Sequence, residues 1–197
     1  MYNNKYKLTK CVKELYKKGF TSSISGNHSI RVKKDYIWIT PSRIPRYYIK
    51  ENDLVKVNIK TGKFYGKLKP STEWKMHVCI YRKMENINAV IHTHSPYTLA
   101  VAISPMKFRH ILEEAKIIVG TPVIIQNIPS GSNQLAEKIS KTFGDNGIKV
   151  IIILNHGVVA IGENIEEARA VIESLEEWAK IMIYSKIMGG PKKFLNN

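Results

Sequence analysis

The stretch NAVIHTHSPY, residues 88–97, ends a short apolar run with two histidines two positions apart and then turns at Ser95-Pro96. Val90 and Ile91 favour a strand. Alternate side chains of a strand share a face, so His92 and His94 project together with Val90, while Ile91 and Thr93 point the other way. Two imidazoles on one spot are good transition-metal ligands, and a strand holds them without the entropy cost of ordering a loop. A third ligand is needed. His156 supplies it, because it follows the most apolar strand of the chain, KVIIIL (149–154), and precedes Gly157, whose missing side chain lets another group approach. Three imidazoles leave one position open, as in catalytic rather than structural zinc sites. Read alone, the H-x-H pair is equally a polar strand face or two satisfied hydrogen bonds.

Around this strand the chain alternates short strands with helices. KLTKCVKELYKK (7–18) places Leu8, Cys11, Val12 and Leu15 on one helical face, closed by Gly19. HSIRV with YIWIT, and DLVKVNI with KFYGKL, alternate around polar turns and predict two successive hairpins. Helices are expected after Pro70 (Trp74, Val78 and Tyr81 on one face), over PYTLAVAIS (96–104), from Ser132 to Phe143 with Gly144 beyond, and from an Asn164 cap to Gly189-Gly190. KVIIIL and GVVAIG form a strand pair around Asn155-His156. Residues 1–190 are expected to form one α/β domain with a sheet that is mostly antiparallel, and 191–197 a flexible polar tail.

Glu73 follows Pro70-Ser71-Thr72 at the start of a helix. First-turn N–H groups and two hydroxyls make a phosphate cradle there, so phosphate binding and a carboxylate would share one turn. Simple helix initiation, with Ser71 or Thr72 as cap, explains the same residues. Ser25-Gly26-Asn27 and Ser42 sit in further small polar turns able to offer donors to the same anion.

At 197 residues, 44% of them hydrophobic, the chain is long enough for one packed core. Thirty-one Lys and Arg against 16 Asp and Glu give a net charge of +15, and the basic residues of the first 85 positions are scattered without a dense block. Such charge suits a solvated basic surface and draws in anionic ligands. No aromatic-rich basic strand or recognition helix points to nucleic acid, and the longest apolar stretch, VIIIL, is too short to span a membrane. The expected location is cytoplasmic. Cys11 and Cys79 lack metal-ligand spacing and are expected to be buried free thiols; His28 and His110 are expected at the surface or in turns. His77, one helical turn after Glu73, is placed either to orient it or to make a core hydrogen bond.

Taken together, SGN (25–27), ITPS (39–42), KPSTEWKMH (69–77), AVIHTHSPYTLAVA (89–102) and NHGVVAIG (155–162) resemble the class II aldolase and adducin family, in particular its L-fuculose-phosphate aldolase branch. The resemblance covers residues 6 to about 187. It implies an α/β/α sandwich around a largely antiparallel sheet, and a homotetramer with metal sites near subunit interfaces. His92, His94 and His156 match the zinc ligands, Glu73 the catalytic acid/base, and Asn27, Ser42, Ser71 and Thr72 the phosphate-holding positions, with Gly26 contributing through its backbone. Ligand type alone leaves cobalt and manganese open beside zinc.

The sequence departs from the family at three places. Arg43 stands where the aldolases commonly have glycine, adding a charge-assisted phosphate contact or crowding the pocket, and Ile24 where a threonine helps bind phosphate. ILEEAKIIVG (111–120) offers Glu113 and Glu114 where the aldolases donate a tyrosine to a neighbouring subunit. Glu114 is the nearer match to a carboxylate that performs acid/base work in the methylthioribulose-phosphate dehydratase and ribulose-phosphate epimerase branches; a solvent-facing helix glutamate is the plain alternative. The C-terminal aromatic that closes the aldolase pocket has no obvious counterpart, with Phe194 the residue that could serve. The expected activity is cleavage of a ketose 1-phosphate to dihydroxyacetone phosphate and a short aldehyde. Dehydration or epimerisation on the same metal site, and a non-enzymatic adducin-like module, are the alternatives.

Overall fold

The computed structural model describes residues 2–144 and 147–195. Period-two burial organises the sheet. In β5 (Ala89–Thr93), β7 (Val150–Ile153) and β8 (Gly157–Gly162) every residue is buried. Ala89, Ile91, Val150, Ile152, Val158 and Ala160 face one helical layer, and Val90, Ile151, Ile153, Val159 and Ile161 face the other. Such runs need cover on both faces. They receive it from α1 (Tyr2–Lys17), α3 (Pro96–Ile103), α4 (Glu113–Ile118) and α6 (Ile165–Ile187) on one side, and from α2 (Trp74–Lys83) and α5 (Asn133–Phe143) on the other.

With β1 (Asn27–Lys33), β2 (Tyr36–Ile39), β3 (Val55–Asn58), β4 (Phe64–Tyr65) and β6 (Val123–Ile125), the sheet runs in the order β4-β3-β2-β1-β5-β8-β7-β6 among the described residues. All neighbours are antiparallel except β6 and β7. The result is a three-layer α/β/α sandwich around a mostly antiparallel sheet, as expected from the sequence. The two predicted hairpins are β1–β2 and β3–β4.

Local caps match the chemistry of the sequence. Ser132 and Asn164 accept from the N–H groups of Leu135 at 3.1 Å and Glu167 at 2.8 Å to start α5 and α6. Glu176, buried on α6, accepts from the N–H groups of Tyr97 and Thr98 and from the Thr98 hydroxyl, which fixes the start of α3 directly after His94-Ser95.

Several expectations need correction. The first helix starts at Tyr2 rather than residue 7, and the short elements α4 and β6 carry too few residues to show a period. His28 is fully buried in β1, because it lies on the face of Ile30 under the α1/α6 layer. His110 is 9% exposed and stacks on Trp178, with centroids 4.8 Å apart. Cys79 is a half-buried thiol and Cys11 a buried one; both are free. The segment expected to be a flexible tail lies against the body as far as Leu195, whose N–H donates to the His110 carbonyl at 2.8 Å, with Phe194 stacked on the Arg109 guanidinium. Asn196 and Asn197 lie outside the described residues.

Candidate active site

β5 brings His92 to the centre of the sheet, and His94 follows one residue beyond the strand end, its N–H held by the Phe20 carbonyl at 2.9 Å. The β7–β8 turn delivers His156. Asn155 takes a left-handed φ of 56° there, and the His156 N–H donates to the Ile153 carbonyl at 3.1 Å. Gly157 is obligatory on contact grounds: a Cβ would lie 2.5 Å from the Thr93 carbonyl and 2.6 Å from His92 Cε1. The absent side chain lets the His92 and His94 rings approach the turn, so all three imidazoles offer ligand atoms within 4.8 Å of one another.

Glu73 sits beside this group, 4% exposed. Its backbone is the N-cap of α2, which therefore begins at Trp74, one residue later than expected, and its N–H donates to Ser71 Oγ at 3.3 Å. The carboxylate oxygens lie 3.1 Å from His92 Nε2 and 3.4 Å from His156 Nε2. Asn27 Nδ2 donates to Oε2 at 2.8 Å and Ser130 Oγ donates to Oε1 at 3.0 Å.

A directional chain stands behind Asn27. With Nδ2 donating to Glu73, Asn27 Oδ1 accepts from His77 Nε2 at 2.6 Å. That fixes the neutral tautomer, so His77 Nδ1 accepts from Ser29 Oγ at 2.7 Å, and Ser29 Oγ accepts from the Tyr81 hydroxyl at 2.9 Å. Burial pushes His77 down to about 3, keeping the ring neutral. Burial pushes the Glu73 carboxyl up, but positive charge at His92 and His156 and the Asn27 amide outweigh it and hold the group well below the usual carboxylate range; with the rings neutral, a cation held between them would supply that charge instead. Glu73 is therefore an ionised base. His94, lowered to about 4 mainly by burial, and His156, lowered by the same cause, are neutral donors at neutral pH.

The donor set fits a divalent cation. His92 Nδ1 is 3.0 Å from the Val158 carbonyl, which can only accept, so Nδ1 carries the proton and Nε2 presents a lone pair. That buried lone pair has no hydrogen-bond donor among the described residues and faces a carboxylate oxygen 3.1 Å away. Two acceptors turned toward each other, with two further imidazoles converging, are satisfied by a cation.

The other sequence candidates separate into two groups. Ser71 is buried and Thr72 exposed at the start of α2. Ser42 is half-buried, its N–H donating to the Lys69 carbonyl at 3.0 Å, and the isolated bridge between Pro41 and Pro70 ties the two turns together. Gly26 and Asn27 adjoin them through Glu73, although within the chain the Asn27 amide is committed to Glu73 and His77. Arg43 is exposed with φ 61°, a conformation that favours glycine. Glu114 is not brought to this group: it is exposed on α4, with no hydrogen bond or ion pair to Glu73 or the histidines among the described residues. Ser130, 57 positions from Glu73, had no signal in the sequence beyond its Pro-Ser-Gly turn.

An α/β/α sandwich carrying three imidazoles and one ionised carboxylate at the end of its central strands defines a candidate metal-dependent enzyme. A family model, the Class II Aldolase and Adducin N-terminal domain, matches residues 6–183. An L-fuculose phosphate aldolase of Methanococcus maripaludis is 35% identical over 167 residues, 85% of this chain and 88% of the relative. A 5-deoxy-D-ribulose 1-phosphate aldolase of Bacillus thuringiensis is 32% identical over 184 residues, 91% and 84% of the two chains. A solved L-fuculose 1-phosphate aldolase superposes with a TM-score of 0.86 at 28% identity, covering 100% of this chain and 92% of that one. The chain belongs to the class II aldolase and adducin family.

Proposed function

We propose that the protein is a metal-dependent aldolase that cleaves a ketose 1-phosphate, of the L-fuculose 1-phosphate kind, to dihydroxyacetone phosphate and a short aldehyde such as lactaldehyde. The observation that carries this reading is the ionised Glu73 carboxylate held 3.1 Å from the unpartnered His92 Nε2. His92, His94 and His156 would hold the cation, zinc in our reading. Its chemistry there is Lewis-acid stabilisation of negative charge on the carbonyl and hydroxyl oxygens of the substrate.

The chain's own residues do the rest. Glu73 takes a proton from C3 in the condensation direction and returns one to C3 after the C3–C4 bond breaks in cleavage. Asn27 and Ser130 hold its two oxygens, so the carboxylate meets C3 in one orientation. Gly26, Asn27, Ser42, Arg43, Ser71 and Thr72 hold the substrate phosphate, and the net charge of +15 draws in the dianion. Asn27 keeps one Nδ2 hydrogen on Glu73 and offers its second to the phosphate.

Glu114 enters this reading only from a second copy, exchanging the C4 hydroxyl proton. Ile117, on the same short helix and 70% exposed, supports burial of that face in a homotetramer. Among the described residues no helix is long and apolar enough to cross a membrane, and both cysteines are free thiols, which supports a reducing cytoplasmic location.

The test is product analysis on the metal-loaded protein with L-fuculose 1-phosphate, following dihydroxyacetone phosphate with a coupled reductase. Its appearance supports cleavage. A diketo phosphate or an epimerised ketose without it would replace this reading with dehydration or epimerisation.

A further inference from the structure

We propose that Arg46 is a positioning residue of the phosphate pocket, fastening loop 23–26 to loop 41–44 so that main-chain N–H groups are presented to the anion. The inference rests on the phosphate-binding reading above.

The Arg46 side chain is buried, and main-chain carbonyls surround its guanidinium. Nε donates to Ser25 O at 3.1 Å, Nη1 to Pro41 O at 3.3 Å and Ile44 O at 3.2 Å, and Nη2 to Ile24 O at 3.1 Å and Gly26 O at 2.7 Å. The Arg46 N–H adds a bond to Ser23 O at 2.7 Å. All five guanidinium hydrogens are used, and none goes to a carboxylate. A buried cation usually has a counter-ion. Here carbonyl dipoles solvate it, and its full positive charge is left to act on whatever binds next to these loops.

The carbonyls matter for what they do to the other side of each peptide. In a planar trans peptide the C=O and the following N–H point in opposite directions, and no cis peptide is present. Tying down the carbonyls of Ile24, Ser25, Gly26 and Pro41 therefore aims the N–H groups of Ser25, Gly26, Asn27 and Ser42 away from the guanidinium. Ser42 N–H is taken by Lys69 O. The N–H groups of Ser25 and Gly26 donate to no other group among the described residues. Two successive N–H groups, both turned away from the guanidinium and neither taken among the described residues, form a small anion-binding concavity.

The loop has little freedom to turn otherwise. Gly26, at φ +69°, packs so closely that a Cβ would lie 2.6 Å from Thr21 Cγ2 and 2.7 Å from the His92 carbonyl. Asn27 pins one end to Glu73, and the Ser71 N–H, bonded to Thr40 O at 3.0 Å, pins the second loop to the start of α2. Arg46 thus joins the segments that carry Gly26, Ser42 and Ser71.

The test is titration of inorganic phosphate and dihydroxyacetone phosphate into wild-type, Arg46→Lys and Arg46→Met proteins, with steady-state kinetics on L-fuculose 1-phosphate. Arg46→Lys, which keeps the charge but loses the fork, should weaken phosphate about fivefold, and Arg46→Met twentyfold or more. KM should rise by the same factors while kcat stays within threefold and metal content is unchanged. In the wild type, phosphate should slow hydrogen exchange of the 22–28 segment, a measurement that needs no variant to fold. Folded variants that bind phosphate like wild type, or bound phosphate that leaves exchange in that segment unchanged, would overturn the role of Arg46. A wild-type protein that binds neither ligand would overturn the phosphate reading itself.

Discussion

Among the described residues the His77 ring and the Glu73 carboxylate share no hydrogen bond; Asn27 joins them, accepting from His77 Nε2 at 2.6 Å and donating to Glu73 Oε2 at 2.8 Å. The helical turn that separates His77 from Glu73 in sequence is thus bridged by a residue of another element, β1. The Glu73 carboxylate is held, through Asn27, by a neutral histidine that cannot change tautomer without losing its bond to Asn27 Oδ1.

His77→Leu removes the donor to Asn27 Oδ1 and leaves that buried oxygen unpaired. The expected loss is about 1–3 kcal/mol of stability and a roughly 10–100-fold fall in kcat. Glu73→Gln should lower kcat more, by about 10²–10⁴-fold. Urea unfolding and steady-state kinetics on the same preparations check both, with metal content as the control for an intact histidine group.

Gly157→Ala places a methyl 2.5 Å from the Thr93 carbonyl and 2.6 Å from His92 Cε1. Strand β8 must shift, at a cost of about 1–3 kcal/mol, and the imidazoles separate. Metal bound per chain, measured after dialysis against a weak chelator, should fall well below wild type; unchanged occupancy would show that the turn is more compliant than its contacts imply.

His28 is fully buried and neither ring nitrogen has a hydrogen-bond partner among the described residues, and burial holds its pKa well below 6.5; His77 is lowered to about 3. Unfolded, both rings take a proton below about pH 6.5, whereas the folded protein excludes it. Stability is therefore full above that pH and falls as pH drops toward 3, by up to about 1.4 kcal/mol per pH unit for each ring. His28→Leu should flatten this slope and raise stability at pH 7 by about 1–3 kcal/mol, because it removes two unsatisfied polar atoms. Chemical denaturation at pH 7.5 and 5.5 reads both effects.

Arg43 adopts φ 61° on the surface. Arg43→Gly relieves a left-handed conformation worth about 1 kcal/mol, so the melting temperature should rise or hold. If the guanidinium contacts the phosphate, KM for the sugar phosphate rises several-fold in the same variant. A stabler protein with unchanged KM would assign Arg43 to the loop surface alone.

With a metal held by His92, His94 and His156 as proposed, a strong chelator should abolish activity, and adding zinc, cobalt or manganese in turn should restore it to different extents. The cobalt-loaded protein supplies a visible spectrum whose absence in a His94→Ala variant would confirm the ligand directly.

Much of the architecture was legible in the sequence wherever one local rule sufficed. Alternation in VIHTH put Val90 and His92 on one face, the apolar run VIIIL marked a strand buried on both sides, and Ser132, Gly144 and Asn164 marked helix ends. Gly157 carried its own signal, since a glycine directly after a histidine at a strand end implies close approach. The bridging role of Asn27, the Ser130 contact, the burial of His28 and the carbonyl cage around Arg46 carried none. The contacts of Asn27 and Ser130 with Glu73, and of Arg46 with Gly26, join residues 20 to 57 positions apart, and a hydrogen bond between distant residues leaves no periodicity in either segment. Residue types and spacing determined which groups were available for chemistry. Only the packing of β1, β5 and α2 decided which of them meet, because burial removes water as the alternative partner and makes each polar group find one inside the protein.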